Sequence, residues 1–165
     1  MTKPSINIMQ SLGYLGLLPF MASVVLRLVE MTVWGLTGLT VFTAYSVVIL
    51  SFLSGVLWGN GIDHSRHTLC RNALILSNLF TLLAWAAFLV SKSQPMTALV
   101  LLSLGYLMVW VAELALRESE HEDKPEGYQR LRAQLTFGVI VLHGVVLVME
   151  KGPQLMTLVE RSAAR

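Results

Sequence analysis

The sequence predicts an all-α membrane protein, a bundle of five transmembrane helices with its N-terminus inside. Three observations carry that expectation. Of 165 residues, 55% are hydrophobic and only 13% are charged, where a soluble domain carries about 25% charge. The mean hydropathy is +0.65. Five separate stretches are apolar over the ~20 residues that a helix needs to cross ~30 Å of hydrocarbon. This balance excludes a disordered chain, a nucleic-acid arm and an ordinary cytosolic enzyme. Between the spans no stretch is long enough for a tethered ATPase, kinase or Rossmann module. The net charge of +2 is small, and the charges do not gather into a basic patch that would bind nucleic acid.

Segment one covers about 10–29 (QSLGYLGLLPFMASVVLRLV), with Pro19 near its middle. A membrane helix tolerates a proline and is kinked by it. Lys3 ahead of this run also admits a signal peptide cleaved after Ala22 or Ser23. Against that, the basic region is a single lysine and the apolar run continues past the small residues. Segment two, about 35–59, carries no charge, and the short link Glu30–Trp34 makes segments one and two a tight antiparallel hairpin. Segment three covers about 72–90. Pro95 opens segment four, about 95–116, in the first helical turn that suits proline. Segment five covers about 133–149. Residues 1–152 thus read as one transmembrane domain and 153–165 as a short tail, either a small amphipathic surface helix or a frayed end.

Orientation follows from lysine and arginine counts in the loops. One side holds Lys3, Arg66, Arg71, Arg117, Lys124, Arg130 and Arg132. The other holds Arg27, Lys92, Lys151, Arg161 and Arg165. The richer side is the inner one, which places the N-terminus inside and the C-terminus outside.

Ionisable groups within spans are the candidate functional residues, because hydrocarbon penalises a charge by about 2.5–3.5 kcal/mol at mid-helix. Arg27 lies one turn from the end of segment one, where its stem reaches the headgroups and Glu30 is near enough to pair with it. Glu113 lies one turn from the end of segment four, and Arg117 stands at the favourable four-residue spacing. An interfacial ion pair is the first reading of Glu113, and a proton or cation ligand is the second. His143 falls at the centre of segment five, too deep to reach water. Tyr45, Ser46 and Ser51 of segment two and Tyr106 of segment four come to similar depth. A neutral histidine bonded to one of these hydroxyls is the plain reading, with a proton relay or a metal or haem ligand as its rival. His64, His67 and His121 sit in loops too far away to share one iron with His143, so a bis-histidine haem is not expected.

The loop NGIDHSRHTLC at 60–70 offers Asp63, His64, His67 and Cys70, and loop 117–132 adds Glu118, Glu120, His121, Glu122 and Asp123. The pattern lacks the paired cysteines of a specific site, and neither a metal nor another cofactor is expected. The single cysteine, Cys70, excludes an internal disulfide. In segment two, Ser51, Gly55 and Gly59 recur every four residues, leaving one helix face nearly bare. Such faces let backbones approach closely in lipid. The first reading is packing against segment one or three, and the second is contact with a membrane-protein partner or another copy of the chain. Trp34 and Trp58 bracket this helix as interfacial aromatics do. No Walker loop, GxSxG elbow, HExxH site or dinucleotide fingerprint is present, and no catalytic residue is assigned.

Three stretches carry a family resemblance: YLGLLPF at 14–20, YSVVILSFLSGVLWG at 45–59 and GYQRLRAQLTFGVIV at 127–141. They resemble the domain-of-unknown-function 3429 family of small bacterial inner-membrane proteins, which has mitochondrial transmembrane relatives. The likeness runs from about residue 12 to 148. It departs at Asn78, near which the family pattern has a proline, and at Leu57, where the pattern has a basic residue or histidine before Trp58. The resemblance implies a multi-pass protein of the bacterial cytoplasmic membrane and implies no reaction. Three functions follow, in order. The first is a small accessory, assembly or stabilising protein of a membrane complex. The second is a transporter or proton- or ion-conducting protein using His143 and Glu113. The third is an enzyme or carrier handling a lipid or quinone. An enzymatic role is the least supported.

Overall fold

The computed structural model describes residues 3–63, 68–120 and 127–163, and side chains within 8–62, 71–115 and 127–152. It is a helical bundle. Helices α1 (Lys3–Leu15) and α2 (Leu18–Leu28) lead into a two-stranded ribbon, β1 (Thr32–Val33) and β2 (Leu36–Thr37). Four long helices follow: α3 (Gly38–Asp63), α4 (Thr68–Val90), α5 (Pro95–Glu120) and α6 (Tyr128–Ala163). Five stretches are long and apolar enough to cross a membrane: Ile8–Leu28, Gly38–Ile62, Arg71–Val90, Pro95–Ala115 and Tyr128–Gly152. The surface is turned out accordingly, with Phe52, Phe137 and Val148 all more than 65% exposed. Such a girdle faces lipid, not water.

Segment one is two helices, not one kinked helix. Pro19 has no N–H to give and its ring crowds the preceding turn, so the helix stops at Leu15 and restarts with proline in the first turn of α2. The break leaves the Gly16 carbonyl available, and the Tyr45 hydroxyl of α3 donates to it at 3.0 Å. The link to segment two is also more ordered than a plain turn. Thr32 pairs with Thr37 and Val33 with Leu36. At its tip Trp34 and Gly35 both have positive φ, 51° and 75°, as a two-residue hairpin turn matched to strand twist requires. Thr37 then caps α3 by accepting the Thr40 N–H at 3.3 Å, the usual use of a threonine before a helix.

α6 departs from the expected 133–149 at both ends, starting at Tyr128 and running through Pro153 to Ala163. At ~1.5 Å per residue it is longer than the bilayer core is thick. The tail expected after Pro153 is a continuation of this helix.

α3 is the hub, packing on α2, α4 and α5, while α6 closes the bundle against α5, α2 and α1. The core lies where these meet, around Phe20, Phe42, Leu50, Leu99, Leu102, Tyr106 and Val146. Buried hydroxyls inside the spans are satisfied locally. Ser23, Thr43 and Ser54 each donate to the carbonyl four residues back, a bond that costs the helix little.

Packing of the Ser51, Gly55 and Gly59 face within the chain is not seen among the described residues. Gly55 is exposed, and a Cβ added at Gly55 or Gly59 meets nothing within 4 Å. Within α3 that face points to lipid beside Val48 and Phe52. The close approaches occur at other glycines. At Gly38 a Cβ would stand 2.5 Å from the Arg27 nitrogen and 2.7 Å from the Ser23 carbonyl oxygen. Those atoms are backbone and cannot swing aside, so Gly38→Ala is expected to cost about 1–3 kcal/mol. Thermal unfolding of the purified protein in detergent checks this, with Gly55→Ala expected to melt with the parent.

Candidate functional site

Polar groups cluster at three depths. The deepest cluster is centred on His143, which is fully buried in α6. Its Nδ1 lies 2.9 Å from the Val139 carbonyl oxygen one turn back. A carbonyl only accepts, so Nδ1 carries the proton and Nε2 is the acceptor. The Ser46 hydroxyl of α3 fills that role, donating to Nε2 at 2.9 Å. Tyr106 of α5 donates its phenol proton to the Ser46 carbonyl at 2.8 Å. Three helices are thereby joined through the side chains of His143, Ser46 and Tyr106 and the backbone carbonyl of Ser46. Aromatic rings enclose the imidazole: Phe42 at 4.8 Å, Tyr106 at 5.6 Å and Phe20 at 6.0 Å between centroids.

A serine hydroxyl on an imidazole nitrogen is the arrangement that activates a nucleophile. Here Ser46 and His143 are both fully buried behind those rings, and a backbone carbonyl, not a carboxylate, orients the imidazole. Both nitrogens have partners within the protein. As it stands, the geometry holds helices together and gives no substrate access to the serine.

The second cluster lies at the end of the bundle where α5 finishes and α6 begins. Glu113 is 4% exposed. Its Oε2 accepts from Arg132 Nε at 2.9 Å and Nη2 at 2.6 Å, and its Oε1 accepts from the Tyr128 hydroxyl at 2.8 Å. The partner seen is Arg132 of α6; the side chain of the helical neighbour Arg117 lies outside the described residues. The third cluster is at the opposite end, beside the β-ribbon. Arg27 donates to Glu150 of α6 at 2.9 Å, whereas the expected partner Glu30 sits exposed at a positive φ of 54° in the turn after α2. The helical spacing that suggested Glu30 fails because α2 ends at Leu28.

Of the candidates named from sequence, His143 and Tyr106 are brought together through Ser46. Glu113 is not with them: along α6 its partner Arg132 is eleven residues from His143, about 16 Å. Ser51 is half-buried and joins neither cluster. Tyr45 serves the helix break instead. Among the described residues no group of His, Cys, Asp and Glu could hold a metal. The loop residues His64, His67 and His121 and the side chains of Asp63, Cys70, Glu118, Glu120, Glu122 and Asp123 lie outside the described residues. Arg132, Tyr128 and Glu150 were missed as site residues because they fall in loops when segment five is drawn as 133–149. The spacing Tyr128-x-x-x-Arg132 was the available signal, since it sets both on one face of an extended helix.

Fold and clusters together define a multi-pass membrane helical bundle whose intramembrane ionisable groups pair within the chain. Residues 5–148 match the family described as protein of unknown function, DUF3429. That stretch is most of the chain, and the protein belongs to this family. No curated protein and no solved structure matches it.

Removing one partner of a buried ion pair costs about 3–5 kcal/mol, more than removing both. Glu113→Gln is therefore expected to lower the melting temperature sharply, and Glu113→Gln with Arg132→Met to recover part of the loss, read in one detergent at one pH. For the central cluster, a double-mutant cycle of Ser46→Ala and His143→Phe is expected to give a coupling of about 0.6–1.7 kcal/mol, the range found for hydrogen bonds within membrane bundles.

Proposed function

We infer that this protein is a small accessory, assembly or stabilising subunit that works by contact with another membrane protein inside a bacterial cytoplasmic membrane. One observation carries the reading: the Gly55–Gly59 face is bare, and among the described residues nothing covers it. Two glycines one turn apart let a foreign helix approach to backbone distance, and such packing drives association where lipid gives no hydrophobic force. Trp58 and Phe52, both exposed beside it, supply ring surface for the same contact. The arginine and lysine balance supports an orientation with the N-terminus inside.

Transport or proton conduction is less well supported by the geometry. His143 and Glu113 each have their polar atoms engaged by partners in the chain, and they lie at different depths. A relay between them would have to open both clusters.

Purification of the tagged protein from native membranes in mild detergent, with mass spectrometry of what co-elutes, tests this function. A stoichiometric membrane protein is expected to accompany the parent and to be lost from Gly55→Leu, which fills the bare face without touching the bundle. Recovery of the chain alone, or the same partner with Gly55→Leu, refutes it. Co-elution of a second copy alone turns the same face into a homodimer contact.

A further inference from the structure

The helix break at Gly16–Leu17 has a geometric result. α1 leans on α6, where the Tyr14 hydroxyl donates to Gln134 at 2.9 Å and Gly13 sits against Leu135 and Leu131. Between α1, α3 and α6 this leaves a groove of about 630 Å³, within the ~300–1,000 Å³ of small-molecule sites. Its walls are apolar: Leu12 of α1, Leu53 and Val56 of α3, and Leu135 and Val139 of α6, with Tyr106 behind them. Arg132 and Tyr128 stand at one end of it. Along α6 it reaches from Tyr128 to Val139, about 16 Å at ~1.5 Å per residue. That is half of the ~30 Å hydrocarbon core, the depth of one leaflet.

The polar end is chemically specific. A guanidinium has five N–H donors. Arg132 gives its Nε and Nη2 to one oxygen of Glu113. Its Nη1 makes no hydrogen bond among the described residues, although its side chain is only 11% exposed. Hydrocarbon cannot satisfy a charged donor. Within one turn of the span's end, the abundant acceptor is a lipid phosphate oxygen, which arginine binds well.

We propose that this groove is a binding site for one glycerophospholipid of the leaflet at the amino-terminal end, with an acyl chain along α3 and α6 and the phosphate on Arg132. The groove's length matches one chain, its lining matches a hydrocarbon tail, and the N–H donors Arg132 does not spend on Glu113 stand at headgroup depth. The groove borders the Gly55–Gly59 face at Phe52 but its depth lies between α1 and α6, so lipid retention is read separately from partner capture.

The test is native mass spectrometry of the full chain extracted in mild detergent, with identification of bound lipid, followed by rebinding of phosphatidylglycerol and of diacylglycerol with the same chains. The parent is expected to retain one phospholipid and to prefer phosphatidylglycerol. Val56→Trp fills the groove and is expected to weaken retention about tenfold, the effect of overpacking by about 1.4 kcal/mol. Leu12→Trp on the opposite wall is the second filling variant, should the first fold poorly. Val148→Trp, exposed to lipid elsewhere on α6, is expected to retain lipid like the parent. Arg132→Lys, which keeps the charge on Glu113, is expected to erase the preference for phosphatidylglycerol over diacylglycerol. A parent with no lipid overturns the proposal. So does a bound quinone in place of a phospholipid, equal retention in both filling variants, or a headgroup preference that Arg132→Lys leaves intact.

Discussion

Hydrocarbon offers no hydrogen-bond partner, and the architecture of this protein follows from that constraint. Each polar group that enters the bilayer must find its complement in the chain. Ser23, Thr43 and Ser54 solve the problem within their own helix. Larger groups cannot, so they recruit other helices: His143 takes Ser46, Glu113 takes Arg132 and Tyr128, and Tyr45 takes the carbonyl left open by the helix break. These pairings bring α6 against α5, α3 and α2 and bring α3 against the α1–α2 break. Apolar surfaces in lipid have no comparable reason to choose one neighbour over another. The polar contacts therefore supply much of the specificity of a bundle whose surface area is mostly hydrocarbon.

The spans were legible because apolar length is a local property. Segments two, three and four fall within a few residues of the observed helices, and each is bounded by a signal in the chain, such as Pro95 for α5. What failed was everything that depends on a partner distant in sequence. Glu30 was the natural partner for Arg27 on helical spacing alone, and nothing in that spacing pointed Glu113 to α6. The observed partners, Glu150 and Arg132, lie on another helix. α6 was drawn short for the same reason. A charged turn at its start looks like loop until Glu113 is known to face it. Depth matching did place Ser46 and Tyr106 near the level of His143, but it could not separate them from Ser51 or Tyr45. That choice depends on helix rotation, which in a chain this uniformly apolar leaves little periodic trace. The Gly55–Gly59 face shows the same limit, since spacing reveals a bare stripe and not the direction it points.

Membership of the DUF3429 family brings no reaction with it, so the functional argument rests on geometry. The ionisable groups that first suggest transport are used up in holding helices together. Among the described residues, the glycine face of α3 and the groove opened by the break in segment one have no such internal use. Both look into the bilayer, and both suit a protein that acts on what lies beside it in the membrane.

α6 carries a basic residue at one end of the membrane and an acidic one at the other, and its partners carry the opposite signs: Glu113 on α5 and Arg27 on α2. This reversed polarity works like a key with one orientation. A helix threaded upside down would set arginine against arginine and carboxylate against carboxylate. A slip by a single turn, about 5.4 Å, would misalign both ends at once. During synthesis α6 emerges after α2 and α5, so Arg27 and Glu113 meet Glu150 and Arg132 only when it docks. α6 thus neutralises charges on two helices made before it, and the chain has an electrostatic check that this span has entered in the right sense and at the right depth.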